Sequence, residues 1–189
     1  MSKKVAIFLA EGLEECEALV TLDILRRANI ETDTVSIDNS LLTVSSHHVP
    51  IVADKLIDEV CLDDYDCLVL PGGIPGTPNL EACEMLMDAV KHFAATDGKY
   101  IAAICAAPSI FAHAGLVEGV NATANPYFQE DMVKGGAYLQ KDAPVVVDSQ
   151  IITSQGMGTA IDFGYAIVSE LLGDEAIEAV RQGIVDLRD

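Results

Sequence analysis

Basic residues are scarce in this chain. Eleven lysines and arginines stand against thirty aspartates and glutamates, a formal net charge of −19 on 189 residues. A nucleic-acid binder needs a basic stripe that releases phosphate counterions, so that class is excluded. Docking on an anionic membrane leaflet is excluded by the same sign of charge. Long apolar runs are also missing. None reaches the roughly 18 residues of a spanning helix. The run Val5–Ala10 behind Met1-Ser2-Lys3-Lys4 is too short for a signal peptide and ends at Glu11. These absences predict a soluble, cytoplasmic protein. No C-x-x-C pair occurs among Cys16, Cys61, Cys67, Cys83 and Cys105, and their number is odd. A disulfide framework, a zinc ribbon and a thioredoxin-type centre are therefore unsupported, and no metal or cofactor is expected. Repeats, low-complexity segments and linkers are absent as well. With 50% hydrophobic residues, the expectation is one folded domain over 1–189.

What is present is an alternation of short apolar runs with helical patterns. Val5–Leu9, Thr34–Ile37, Cys67–Leu70 and Tyr100–Ile104 read as strands. Leu41–Val44 with Val49–Val52, and Val145–Val147 with Ile151–Thr153, read as paired strands. Helices are predicted over Glu14–Ala28, from an Asn79 cap to about Ala95, over Pro108–Ala114, and from a Thr159-x-x-Asp162 capping box to Leu172. A short helix from Asp174 closes the pattern. Strands apolar on both faces and separated by helices predict an α/β fold with a mostly parallel sheet covered on both sides. The acidic run Asp58-Glu59 to Asp63-Asp64 reads as solvated surface. The first helix is apolar nearly all round between Ala18 and Leu25. Such a helix needs cover on more than one side, from another element of the chain or from a second copy.

In an open parallel sheet, reactive groups collect at the carboxyl ends of the strands. Three segments fall there: Ala10–Glu17, Pro71–Thr77 and Cys105–Pro108. Ile104-Cys105-Ala106-Ala107-Pro108 places a thiol between a strand and a helix start, with small residues behind it. That is the arrangement of a nucleophile elbow. The helix start is expected to lower the thiol pKa below about 8.5, making it nucleophilic and oxidisable. A small buried cysteine filling space is the plainer alternative. Pro71-Gly72-Gly73 can aim backbone N–H groups outward as an oxyanion site, or serve only as a strand exit. No P-loop is present, and Gly156-Met157-Gly158 lacks the third glycine of a dinucleotide fingerprint, so a helix-entry turn explains it better. Of Glu11, Glu14, Glu15 and Glu17, most are ordinary partners of a helix start. One turned inward would have a raised pKa and could move protons. The four histidines, His47, His48, His92 and His113, offer no Cys–His–Glu triad. Adjacent His47 and His48 make poor joint metal ligands and read as surface residues.

Taken together, Glu11–Glu17 (EGLEECE), Arg26-Arg27-Ala28, Leu70–Gly73 (LPGG), Ala102–Pro108 (AAICAAP) and Thr153–Thr159 (TSQGMGT) resemble the ThiJ/PfpI superfamily, in particular bacterial members of its DJ-one branch. The resemblance spans essentially the whole chain. It implies a flavodoxin-like three-layer sandwich and a homodimer. It implies that Cys105 is the reactive elbow cysteine and Glu17 the family's protonated glutamate. The amides of Gly73 and Ala106 would be oxyanion-type donors, with Gly72 and Asn125 beside the substrate. It implies cofactor-free conversion of small aldehydes such as methylglyoxal to hydroxy acids, or removal of early glycation adducts, in stress protection. The alternative it carries is a redox-responsive dimer whose elbow cysteine oxidises to the sulfinic acid. An amidotransferase or peptidase shares the fold but needs a histidine partner that this chain does not supply. Some members carry a histidine where this chain has Asn125, ahead of Pro126, and asparagine cannot shuttle protons near pH 7. Gln155 stands where some relatives carry arginine.

Overall fold

In the computed structural model, which describes residues 2–188, the first strand, β1 (Lys4–Leu9), is buried on both faces. Val5, Ile7 and Leu9 enter one apolar cluster, and Ala6 and Phe8 enter another. The same alternation recurs in the strands at Cys67–Leu70 and Tyr100–Ile104, so the sheet separates two cores.

After β1 come α1 (Glu15–Arg27), β2 (Glu31–Ser36), β3 (Leu42–Val44), β4 (Pro50–Val52) and β5 (Lys55–Leu56). Then follow β6 (Cys67–Leu70), α2 (Gly76–Glu81), α3 (Glu84–Ala94), β7 (Tyr100–Ile104) and α4 (Pro108–His113). The remainder is β8 (Asn121–Ala122), α5 (Gln129–Lys134), β9 (Tyr138–Leu139), β10 (Val145–Asp148), β11 (Ile151–Ser154), α6 (Ala160–Leu172) and α7 (Glu175–Ile184). The central sheet has seven strands in the order β10-β11-β7-β6-β1-β2-β5, all parallel except the edge pair β10–β11. Helices α1, α6 and α7 cover one face; α3, α4 and α5 cover the other. This is the expected α/β three-layer sandwich of flavodoxin type. The chain passes from β1 out to β2 and then returns to β6 on the other side of β1. The carboxyl ends of β1, β6 and β7 therefore surround the point where strand order reverses, which is where such sheets bind ligands.

Several elements differ from their sequence reading. The helix expected from Asn79 is two helices, broken at Ala82-Cys83. Asn79 lies inside α2, and its side-chain amide donates to the Glu11 carbonyl. Strand β2 begins at Glu31 rather than Thr34, because pairing with β1 from Lys4↔Glu31 outweighs its polar start. Thr159 precedes α6 without capping it; its hydroxyl bonds Ser154 Oγ and the Gly156 carbonyl. The segments at 121–122, 129–134 and 138–139 are too short to leave a periodic signal. Asp58, Glu59, Asp63 and Asp64 are exposed, as expected, on two single-turn 3-10 helices. Of the two covers considered for α1, an element of the same chain supplies one. Helix α6 packs so closely that a Cβ on Gly164 would stand 2.8 Å from Ile24 Cγ2. Beyond that contact, Cys16, Leu19 and Val20 line an open groove with Ile161 and Ile184.

Candidate active site

The four glutamates around the start of α1 divide by helical phase and by what they face. Glu11 accepts from the Val44 N–H and ties the β3–β4 hairpin to the loop after β1. Glu14 is the N-cap and accepts from the Glu17 N–H at 2.7 Å. Glu15 pairs with His47 at 3.0 Å. Glu17 shares a face with Thr21 and Ile24, at helical spacing, and all three are buried. Only 1% of Glu17 remains accessible. Its carboxyl accepts from the Gly72 N–H at 2.8 Å, and the Met157 N–H and the Cys105 thiol stand beside it and restrain its pKa.

Cys105 sits at the sharp exit of β7 with φ at +66°, a conformation L-residues rarely adopt. Holding it there costs about 1–3 kcal/mol, and the surrounding backbone fixes it on both sides. Its N–H donates to the Ser154 carbonyl at 3.0 Å, and its carbonyl accepts from the Asn125 N–H at 2.9 Å. The half-buried sulfur accepts N–H groups from Ala106 and Gly73. An oxygen bonded to a carbon attacked by that sulfur would face the same two donors. Gly73 has φ at +98°, and a Cβ there would stand 2.3 Å from the Glu14 nitrogen. Gly72 is fixed by space instead: a Cβ would lie 2.7 Å from Cys105 Cβ and 2.8 Å from Glu17 Oε2.

The electrostatics correct one expectation. Burial pushes the Cys105 thiol up to about 12; the charge and hydrogen bond of Glu17 add to this, and the N–H groups of Ala106 and Gly73 oppose it. Helix α4 has six residues, and its N-terminus does not outweigh burial beside a carboxylate. Glu17 is also raised, to about 7, chiefly by burial; the thiol and the Gly72 and Met157 N–H groups restrain the shift. The resting pair thus holds its thiol proton near neutrality, and Glu17 is the group placed to take it.

Asn125 lies beside the elbow through its backbone bond to Cys105. Its Oδ1 accepts from the Tyr127 N–H and caps a 3-10 turn over Pro126–Phe128. Its Nδ2 is on the Gly156 side, 3.5 Å from where a Cβ of that glycine would be; Glu17 Oε1 is 3.9 Å from the same point. The structure therefore brings Cys105, Glu17, Gly72, Gly73, Ala106 and Asn125 together. Gln155 is engaged elsewhere, donating to the carbonyls of Lys141 and Ala143. Among the described residues no histidine hydrogen-bonds Cys105 or Glu17: His47 and His113 pair with Glu15 and Glu81, and His47 and His48 are both exposed. Glu14, Glu15 and His47 each bring one ligand atom within 4.8 Å of the others, but the Glu15–His47 ion pair and the Glu14 cap already account for that cluster. The residue that sequence reasoning missed is Met157, whose N–H holds Glu17 from the far side of the site. Nothing in TSQGMGT signals that contact, because it joins the chain before α6 to α1.

The model of the DJ-1/PfpI family matches residues 3–170. The chain is 35% identical to Protein dj-1beta of Drosophila melanogaster, over 98% of both chains. A solved structure of that Drosophila protein superposes with a TM-score of 0.92, over 98% of each chain. It is 31% identical to a Schizosaccharomyces pombe protein named glutathione-independent glyoxalase DJ-1, over 96% of this chain and 97% of that one. With Protein DJ-1 homolog B of Arabidopsis thaliana it shares 38% identity over 92% of its length, but covers 39% of that longer protein.

The raised Glu17 has a measurable consequence. In the unfolded chain it ionises at its ordinary value of 4.5, and in the folded protein near 7. Between those values the folded form binds the extra proton, so this carboxyl costs stability increasingly as pH rises, with the full cost above 7. Glu17→Gln should be more stable than the parent at pH 8 by up to about 3 kcal/mol, and close to it at pH 4. Urea unfolding at the two pH values tests this; an equal difference at both would refute the buried, proton-holding carboxyl.

Proposed function

The chain belongs to the DJ-1/PfpI family, and from that membership we propose that it converts small 2-oxoaldehydes to hydroxy acids without a cofactor, using Cys105 as nucleophile and Glu17 as proton carrier. The observation that carries this reading is the buried Glu17 carboxyl set beside Cys105 against the bare backbone of Gly72, with the Ala106 and Gly73 N–H groups next to the sulfur. Glu17 takes the thiol proton as the sulfur attacks the aldehyde carbon, then passes it to the new oxygen to give a hemithioacetal. Glu17 next removes the hydrogen from that carbon as a proton and returns one to the neighbouring carbon, while the hydroxyl proton passes to the neighbouring oxygen, leaving a thioester of the hydroxy acid. Water cleaves the thioester, releasing the hydroxy acid and restoring the thiol. Developing negative charge on the oxygen is stabilised by Gly73 and Ala106, and the Asn125 amide is placed to orient the second carbonyl. Early adducts of the same aldehydes on protein side chains belong to the same substrate class. The activity would serve stress protection in the cytoplasm, where five free cysteines are in keeping with a reducing compartment.

The working unit in this reading is a homodimer joined through α1. Cys16, Leu19 and Val20 line a groove next to the α1–α6 contact, and Leu19 is 38% exposed there. A second reading, oxidation of Cys105 to a sulfinic acid as a stress signal, is favoured by one observation. The Asn125 side-chain oxygen Oδ1 is occupied as a turn cap, and an amide does not titrate near neutrality, so Glu17 must move every proton alone.

Incubation with methylglyoxal should yield lactate from the parent chain and none above background from Cys105→Ala; equal lactate from both would overturn the enzyme. Loss of methylglyoxal is not the readout, because any thiol or arginine consumes it. If oxidation is the function, mild peroxide should add two oxygens to Cys105 before any other cysteine, and mass spectrometry showing indiscriminate oxidation would exclude it. Sedimentation equilibrium should find a dimer that Leu19→Glu converts to monomer; a monomeric parent would remove the dimer from the proposal.

A further inference from the structure

Glu14-x-x-Glu17 has the spacing of a capping box, and half of that box is missing. The Glu14 side chain, at the N-cap of α1, accepts the Glu17 N–H at 2.7 Å. In a closed box the Glu17 carboxyl would accept the Glu14 N–H in return. Here Gly72 stands between the two. Its carbonyl accepts the Glu14 N–H at 2.9 Å, and its N–H donates to Glu17 Oε2 at 2.8 Å. One glycine thus takes both missing places, and the Glu17 carboxyl is released from helix capping to stand beside Cys105.

The same exchange directs a second group. The Gly72 carbonyl and the Gly73 N–H belong to one planar trans peptide and point opposite ways across it. Fixing the carbonyl on Glu14 therefore turns the Gly73 N–H away from α1, and that N–H lies next to the Cys105 sulfur. The approach is close: a Cβ on Gly73 would stand 2.3 Å from the Glu14 nitrogen. Glutamate is outside the preferred N-cap set of Ser, Thr, Asp and Asn, so helix capping alone does not account for it.

Few charged groups face the Glu17 carboxyl. Cys105 stands beside it from the β7 exit, and Glu14 from the start of its own helix. On α6, which packs on α1, Asp162 pairs with Arg188. Beside the β3–β4 hairpin, His47 pairs with Glu15. Lys141 meets Gln155 through its carbonyl, and among the described residues no lysine, arginine or histidine pairs with Glu17. Burial raises Glu17 most, and the charge of Glu14 adds to it.

We propose that Glu14 is a positioning residue of this site, holding the Glu17 carboxyl free of its own helix and the Gly73 N–H towards the sulfur. The role concerns the reaction given under Proposed function and rests on that reading. Hydrogen bonds do the positioning, and charge tunes the proton. A carboxylate at 14 opposes ionisation at 17, which keeps the carrier near the pH where it can both take and give a proton.

Two variants separate these parts. Glu14→Gln keeps an acceptor of the same reach and removes the charge; Glu14→Ala removes both. In lactate formation from methylglyoxal, Glu14→Ala should lower kcat by about ten-fold with KM unchanged, and Glu14→Gln should recover most of that loss. In both variants the rise of kcat with pH, set by Glu17, should move to lower pH. A merely structural cap would not move it. Two further readouts need no turnover. The carboxyl carbon signal of Glu17 in nuclear magnetic resonance, identified by its loss in Glu17→Gln, should titrate at about 7 in the parent and lower in both variants. Amide exchange at Gly72 and Gly73 should be about ten-fold faster in Glu14→Ala and parent-like in Glu14→Gln. A carboxyl titration unmoved in both variants, or parent-like exchange in Glu14→Ala, overturns the role of Glu14. If the parent forms no lactate, the proposed reaction fails, and titration and exchange still decide that role. If Glu14→Ala does not fold, the titration of Glu14→Gln decides it: unmoved, it refutes.

Discussion

A backbone with no side chain holds the site together. Gly72 passes so close to Cys105 Cβ and Glu17 Oε2 that a single methyl group would displace both. Because it is bare, the Gly72 N–H reaches the buried carboxyl, and the carboxyl reaches the thiol. A carboxyl sealed from water cannot ionise at its usual pH without partners. The partners it has are two N–H groups and a thiol, enough to bring its titration to neutrality and no further. That intermediate satisfaction is what makes it useful. A fully satisfied carboxylate would hold no proton to give, and an unsatisfied one would stay protonated and not release it.

The fold supplies this contact by bringing three strand ends to one place. The helix that follows β1 and the exits of β6 and β7 carry Glu17, Gly72 with Gly73, and Cys105, and they meet because strand order reverses beside β1. Two more segments close the site from the β11 side. The exit of β11 accepts the Cys105 N–H at Ser154 and supplies the Met157 N–H, while the loop before α5 donates the Asn125 N–H to the elbow carbonyl. The strained φ of Cys105 persists because these bonds determine it from both sides. The sulfur is thereby a rigid part of the sheet edge rather than the tip of a mobile loop.

Acidity has separate consequences at the surface and at the site. Asp58, Glu59, Asp63 and Asp64 are exposed on turns, where Glu59 accepts from the Leu56 N–H and Asp63 pairs with His92. Glu14 is different: it caps α1 and adds to the upward shift of Glu17. The same side chain that starts the helix therefore helps keep its neighbour's proton in place.

Much of this was legible in the residues themselves. Strand runs such as Cys67–Leu70 and Tyr100–Ile104 match their structural bounds, because a strand buried on both faces leaves an uninterrupted apolar run. The elbow was legible as one of two readings, since a thiol followed by two alanines and a proline at a strand exit is either an elbow or a small buried filler; the positive φ of Cys105 decides for the elbow. The phase Glu17, Thr21, Ile24 lay in the sequence as well, yet four nearby glutamates concealed it until the face of α1 was known. Local pattern did not reach three things: the break in the helix after Asn79, the reach of Met157 to Glu17, and the direction of the thiol's shift. The sequence by itself determined which segments become strands and helices and which residue types stand at the strand ends, because periodicity and turn chemistry are short-range. Only the tertiary structure decided which glutamate is buried, what satisfies it and which group holds the proton, because burial and hydrogen bonding depend on atoms brought together from distant parts of the chain.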